Sequence, residues 1–270
     1  MLDYFLILLL SHLSTDFVFQ KDAMTEYKHE AGIKGHIALL LHPGIFFITS
    51  TVLFLITEGT QWFAWINLAI LLLLSLSHYI VDFLKGKVMK RVGMGSDNQD
   101  IYRCPVWLFF ADQLAHLILI VLFTLIALHN VIAWEFVPVS TVINIILPAI
   151  MPLTGIQKIL IASSILIIIT SFSNILVKLS LKTTKIQKET SGEELITGRY
   201  IGSAERILTV VAIMAGAYEA VAILYASKTA IRFSQIQHSP EFREYYILGS
   251  MISALLGVLG GILAKTTILS

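Results

Sequence analysis

The sequence predicts an all-α fold, a polytopic bundle of transmembrane helices. Three observations predict it. Of 270 residues, 56% are hydrophobic and 14% charged, against ~25% charged in an ordinary soluble domain, and the mean hydropathy is +0.81. Six segments each hold about 20 predominantly apolar residues, enough to cross ~30 Å of hydrocarbon. Most lysines and arginines gather in the polar connections between those segments. This composition excludes a disordered chain, a secreted disulfide scaffold and an ordinary cytosolic enzyme. A net charge of +1 leaves no face basic enough to track a nucleic acid, and the lone cysteine, Cys104, forms no internal disulfide.

The elements follow in chain order. The first span, 2–19, has no basic n-region, carries His12 and Asp16, and precedes no small-residue cleavage site, so it reads as a retained helix. Spans at 36–57, 62–85 and 105–128 come next. Residues 131–153 are ambiguous: the apolar run 142–153 is short and contains Pro148 and Pro152, which favours an interfacial or re-entrant segment. A span at 157–181 precedes a polar stretch, 182–198, that reads as a cytoplasmic linker. Residues 201–226 are long enough to cross but carry Glu205, Arg206 and a mid-span Glu219. The last span, 244–264, has a small-residue face of Gly257, Gly260 and Gly261 for close packing. The expectation is seven spans, or eight if 131–153 crosses. The expected organisation is a four-helix membrane domain over 1–128, a re-entrant segment plus fifth span over 129–181, the linker over 182–198, and a two-helix membrane part over 199–270.

Orientation follows from the basic residues of short loops. Lys21, Lys28 and Lys34 follow the first span, Lys85, Lys87, Lys90, Arg91 and Arg103 the third, and Lys182, Lys185, Lys188 and Arg199 the fifth. Residues 58–61 and 129–141 contain no Lys or Arg. The expected arrangement is multi-pass in the cell inner (cytoplasmic) membrane, with the N-terminus outside and the C-terminus cytoplasmic. One loop dissents: 227–243 should then lie outside, yet it carries Lys228, Arg232 and Arg243.

Ionisable residues inside a membrane are costly, so their default reading is functional. Here they are patterned. The first and third spans each carry His-x-x-x-Asp, as His12 with Asp16 and His78 with Asp82, and the fourth carries Asp112, Gln113 and His116. An i, i+4 spacing stacks the two side chains on one helix face. The second span opens with His36 and His42, followed by Pro43. Under the expected topology all these groups fall at one depth near the cytoplasmic side. Taken singly, each pair is as well explained as a hydrogen-bonded helix contact. His29, His129 and His238 are assigned no role, and Trp62, Trp65, Trp107 and Trp134 fit interfacial belts.

Imidazole and carboxylate together form the ligand set of zinc, manganese and iron sites, and a bundle core is a common place for one. The leading expectation is a metal-dependent integral membrane hydrolase acting on a lipid or phospho-substrate at the cytoplasmic face. His12, Asp16, His78, Asp82 and His116 are the first candidate ligands, with His36 and His42 beside them. Asp112 is a ligand or the general base, while Gln113 and Lys85 orient or stabilise an anionic substrate oxygen. The histidine share favours zinc over manganese or magnesium. In the rear part, Arg206, Lys228 and Arg232 are candidates to hold an anionic headgroup, against a reading of Glu205 and Arg206 as an ion pair. The expected partners are the bilayer and a lipid or polyprenyl-type headgroup, with a homo-oligomer allowed. Two other classes stay open: a transporter or proton or cation relay using the same cluster, and a signalling or scaffold protein in which the cluster is structural.

The segments SHLSTDFVFQK, HIALLLH, SHYIVDFLK and ADQLAHL resemble a bacterial membrane-protein family called domain of unknown function 3307. The rear segment IGSAERILTVVAIMAGAYEAVAILYASKTAIRF resembles the extension of its longer members, so the resemblance covers most of the chain outside roughly 129–195. It implies no established activity. More distantly, the His/Asp pattern is similar to that of bacterial membrane-bound metal-dependent hydrolases, an analogy of residue type and placement.

Overall fold

The computed structural model describes residues 2–20, 24, 28, 32–62, 64–91, 105–131, 153–181 and 192–269. Among them are eight helices and no strand: α1 Leu2–Phe19, α2 Ile33–Glu58, α3 Trp65–Arg91, α4 Val106–Val131, α5 Gly155–Leu181, α6 Gly192–Met214, α7 Tyr218–His238 and α8 Pro240–Ile268. Six of these, α1 to α5 and α8, are long and apolar enough to cross a membrane. Exposed Leu and Ile side chains cover their outer faces, as at Leu40, Leu72, Leu114 and Leu259, which suits a lipid environment. The fold is an all-α transmembrane helix bundle. The chain divides into two compact units, Met1–Leu160 and Ile161–Ser270. The ambiguous segment 131–153 lies almost wholly outside the described residues. Of the expected linker, 192–198 form the start of α6 and 182–191 lie outside the described residues.

In the first unit α1 packs on α2 and α4, and α3 packs on α2 and α4, which closes a four-helix ring. Consecutive helices run in opposite directions. Tyr4 of α1, Phe54 of α2, Leu71 and Leu74 of α3 and Phe123 and Ala127 of α4 line one apolar space at a single end. There Tyr4 lies 4.7 Å from the Phe54 ring, and Phe54 stacks at 4.5 Å on Trp62. Trp62 is thus buried, at 3% exposure, and not in an interfacial belt; Trp65 and Trp107 are exposed. Gly59 ends α2 at φ 69°, a left-handed conformation that only glycine adopts without penalty.

In the second unit the structure corrects the sequence. Residues 201–226 are not one span. Gly216 sits at φ 76°, its N–H bonds to Ile213 O at 3.1 Å, and Ala217 N–H bonds to Ala212 O at 2.8 Å. That 6→1 and 5→2 pair is a Schellman motif, which ends α6 and turns the chain back into α7. Glu219 consequently lies exposed in the first turn of α7, where a carboxylate complements the helix dipole, and not mid-span. Residues 192–268 therefore form three helices where two were expected. Ser239 accepts from Phe242 N–H at 3.1 Å, and Pro240 follows it, starting α8 with an N-cap.

Consecutive helices alternate in direction here too. Asn174 meets Ser203 and Ile169 meets Arg206 between α5 and α6, while Glu205 meets Lys228 and Thr209 meets Tyr225 between α6 and α7. A parallel seam joins α6 to α8, with Arg206 on Ser253, Thr209 on Gly257 and Ile213 on Gly261. A Cβ at Gly261 would stand 2.9 Å from Ile213 Cβ, so glycine sets this close approach, as the small-residue face led one to expect. The reversal at Gly216 places Lys228, Arg232 and Arg243 at the same end of this unit as Lys178 and Arg199. Residues 227–243 therefore lie at the end of this unit shared with the start of α6.

Candidate metal centre

Each helix of the first unit brings polar side chains to the end opposite the apolar Phe54–Trp62 stack. On α1, His12 Nδ1 lies 3.6 Å from Asp16 Oδ1 one turn on. The helix widens into a π-turn at Thr15–Phe19, beginning beside Asp16, where Gln20 N–H reaches back five residues to Thr15 O. Hydroxyls of Ser11 and Thr15 bond to the carbonyls four residues earlier, at 2.8 Å each. His42 precedes Pro43 on α2, and α3 supplies His78 and Asp82. Asp112, Gln113 and His116 come from α4.

These groups converge. His42 Nε2 donates to Asp16 Oδ1 at 3.1 Å, and His78 Nε2 lies 3.5 Å from the same oxygen. Asp82 Oδ2 lies 3.6 Å from His42 Nε2 and 3.9 Å from His78 Nε2, while Asp82 Oδ1 lies 3.7 Å from His116 Nε2. His116 Nε2 is also 3.6 Å from Asp112 Oδ1. The His78 and His116 rings stack at 4.0 Å, with His12 4.8 Å from His116. Gln113 ties the set together. Its carbonyl accepts from His12 Nε2 at 3.2 Å, and its amide donates to Asp16 Oδ2 at 3.1 Å and to Asp112 Oδ2 at 3.3 Å.

Two features of this geometry fit a cation. Most of the imidazole–carboxylate distances are 3.5–3.9 Å, too long for hydrogen bonds. They are close to the edge of a coordination shell, since donors ~2.0–2.1 Å from a zinc ion stand roughly 3.0–3.4 Å apart. Secondly, among the described residues His12 Nδ1, His42 Nδ1, His78 Nε2, Asp112 Oδ1 and His116 Nε2 are buried with no hydrogen-bond partner. Orphaned buried polar atoms cost roughly 1–3 kcal/mol each, and here all five belong to residues of one cluster. Three overlapping sets, His12 with His78 and His116, Asp16 with His42 and His78, and Asp16 with Asp112 and His116, each bring their donor atoms within 4.8 Å of one another.

Two lysines border the cluster. Lys85 Nζ lies 2.6 Å from Asp112 Oδ2, its side chain 24% exposed, so it marks the side nearer solvent or headgroups. Lys28 Nζ lies 2.8 Å from Asp82 Oδ2 and 3.4 Å from the Gln20 amide oxygen, and it is nearly buried. By sequence Lys28 is one of the basic loop residues that set topology, and no spacing signal links it to Asp82, 54 residues away. His36, expected beside His42, is exposed on α2 and does not join the group. Six residues turn a helix well past one full face, so only His42 of that pair points inward.

The rear candidates lie in the second unit. Arg206 is 2% exposed. Its Nε donates to Ile169 O, presented by the π-turn Ile168–Phe172, and its Nη atoms donate to Ser253 Oγ at 2.8 Å and Asn174 Oδ1 at 2.5 Å. A headgroup would have to displace those contacts. Lys228 is 2.6 Å from Glu205, so the partner of Glu205 is Lys228 and not Arg206. Arg232 is exposed and donates to Gln235 at 2.8 Å. Among the described residues, the second unit holds no comparable His/carboxylate set.

The fold and this cluster together define a polytopic helical membrane protein with a buried His/Asp centre able to hold a metal ion. The chain belongs to the family described as "Protein of unknown function (DUF3307)", whose model matches residues 4–143, just over half the chain and all of the cluster. No curated protein and no solved structure matches it.

Proposed function

We propose that the protein is a metal-dependent hydrolase that acts, at the cytoplasmic face of the inner membrane, on a phosphate-bearing or ester-bearing lipid headgroup. The observation that carries this reading is the set of orphaned donor atoms on His12, His42, His78, Asp112 and His116, buried among three carboxylates. Divalent metal, zinc ahead of manganese or magnesium, would engage the orphaned atoms of His12, His78, Asp112 and His116 and supply a hydroxide-generating Lewis acid near neutral pH. His42, His78, His116 and Asp16 are the proposed ligands, with His12 and Asp82 beside them. Asp112 either joins them or takes the proton from an attacking water. Gln113 fixes the orientation of His12, Asp16 and Asp112 through its three hydrogen bonds. Lys85, partly exposed at the edge, is placed to neutralise an anionic substrate oxygen once it leaves Asp112. Arg232 remains a candidate for a second headgroup contact. A conducting path is less well served, because Phe54, Trp62 and Leu71 fill the other end of the same unit.

Elemental analysis of the protein purified without chelator tests the reading. The expected result is about one or more zinc, manganese or iron per chain, lost in His78→Ala. Less than ~0.2 ion per chain, unchanged by His78→Ala, would overturn it.

A further inference from the structure

We infer that the cluster is a two-ion centre, with the Asp16 carboxylate bridging the ions; this rests on the metal reading above and deepens it. Seven residues converge, His12, Asp16, His42, His78, Asp82, Asp112 and His116, each from a spanning helix. A tetrahedral ion takes four donors, so one ion leaves several buried polar groups unexplained. The donors also exceed one shell. The set of Asp16, His42 and His78 shares only Asp16 with the set of Asp16, Asp112 and His116, and a third set, His12 with His78 and His116, joins the two.

The two oxygens of Asp16 face different ways. Oδ1 looks toward His42 at 3.1 Å and His78 at 3.5 Å. Oδ2 accepts from the Gln113 amide, which also donates to Asp112. Asp82 divides in the same manner, Oδ2 toward His42 and His78 and Oδ1 toward His116. Carboxylates that straddle two donor sets are what a pair of ions about 3.5–4 Å apart requires. Orphaned atoms fall in both sets, His78 Nε2 in one and His116 Nε2 with Asp112 Oδ1 in the other. A single ion in either set would leave the other set's orphans unsatisfied, and one held by His12, His78 and His116 would still leave Asp112 Oδ1 without a partner. Charge agrees. Asp16, Asp82 and Asp112 against Lys28 and Lys85 sum to −1, so two divalent ions make the centre net positive and suited to an anionic phosphoryl group, whose oxygens a pair of ions clamps.

The test is metal binding to the full-length protein in detergent, stripped with chelator and titrated with manganese alone. The expected result is about two Mn(II) per chain, with the low-temperature spin-resonance spectrum of an exchange-coupled pair. His42→Ala and Asp112→Asn should each reduce the stoichiometry to about one and abolish the coupling. Binding of about one ion in the wild type, with an uncoupled spectrum, overturns the two-ion inference and leaves the metal reading standing. No binding, in protein that keeps its helical content and elution volume, overturns both. The wild-type stoichiometry decides the matter even if a variant fails to fold.

Discussion

Replacing Lys85 by Met tests the electrostatics of the centre directly. The Lys85–Asp112 pair is short, 2.6 Å, with the Asp112 side chain 2% exposed and the lysine 24%. At that distance and an effective dielectric of ~20 the attraction is about 6 kcal/mol, of which desolvation takes back a part. Removing one partner of such a pair strands the other and costs about 3–5 kcal/mol. Lys85→Met should therefore destabilise the metal-free protein by about that amount, with the lower end favoured because the lysine reaches solvent. The double variant Lys85→Met with Asp112→Asn removes both charges and should fall within about 1 kcal/mol of wild type. Saturating zinc should shrink the cost of Lys85→Met to below ~1 kcal/mol, because a divalent ion replaces the ammonium as the partner of Asp112. Unfolding free energies from detergent titration, followed by circular dichroism with and without chelator, supply the comparison. A metal-free Lys85→Met protein less than ~1 kcal/mol below wild type would show that Asp112 does not depend on this ion pair. A cost unchanged by zinc would rule out an ion at Asp112.

Three further outcomes are expected. Metal present at ~100 times its dissociation constant should raise the unfolding free energy of wild type by about 2.7 kcal/mol, and that of His78→Ala by much less; equal gains would mean that the ion binds elsewhere. Gly261→Ala should destabilise by about 1–2 kcal/mol, because its Cβ would lie 2.9 Å from the Ile213 Cβ, which no rotamer can move, whereas Gly249→Ala meets only the flexible tip of Leu181 at 3.1 Å and should be neutral or stabilising by up to ~1 kcal/mol. The basic end of the second unit should face the cytoplasm, which sends α8 away from it, so alkaline phosphatase fused at the C-terminal end of α8 should be active and green fluorescent protein there dark; the reverse pair of results would put the basic end outside.

The apolar spans and loop charges alone predict a cytoplasmic C-terminus instead. The difference traces to one glycine. The segment Met214-Ala215-Gly216-Ala217 carries a helix-stop signal, but the apolar residues on both sides mask it, since hydropathy averages over a window and a Schellman turn occupies a few residues. Once the chain reverses there, the basic residues of 227–243 join those of 178–199 at one end. Trp62 carries a related ambiguity: an aromatic residue at a span boundary reads the same whether it faces headgroups or caps a core, and only its stacking on Phe54 separates the two.

The sequence by itself determined what is local. Apolar runs of the length of a bilayer fix the spanning helices, because the hydrocarbon core accepts no unsatisfied backbone. The i, i+4 spacing of His12 with Asp16, His78 with Asp82 and Asp112 with His116 fixes that each pair shares a face, because a helix turns once in 3.6 residues. Tertiary packing decided the rest. Which faces of α1 to α4 meet, and so whether three pairs make one centre, depends on the rotation and depth of each helix. Those are set by contacts between residues far apart in the chain. Packing turned His42 inward and left His36 outside, and it laid Lys28 on Asp82 and the Gln113 amide between Asp16 and Asp112. None of these pairings leaves a periodic trace, because a contact between two helices constrains a position on each and no spacing between them.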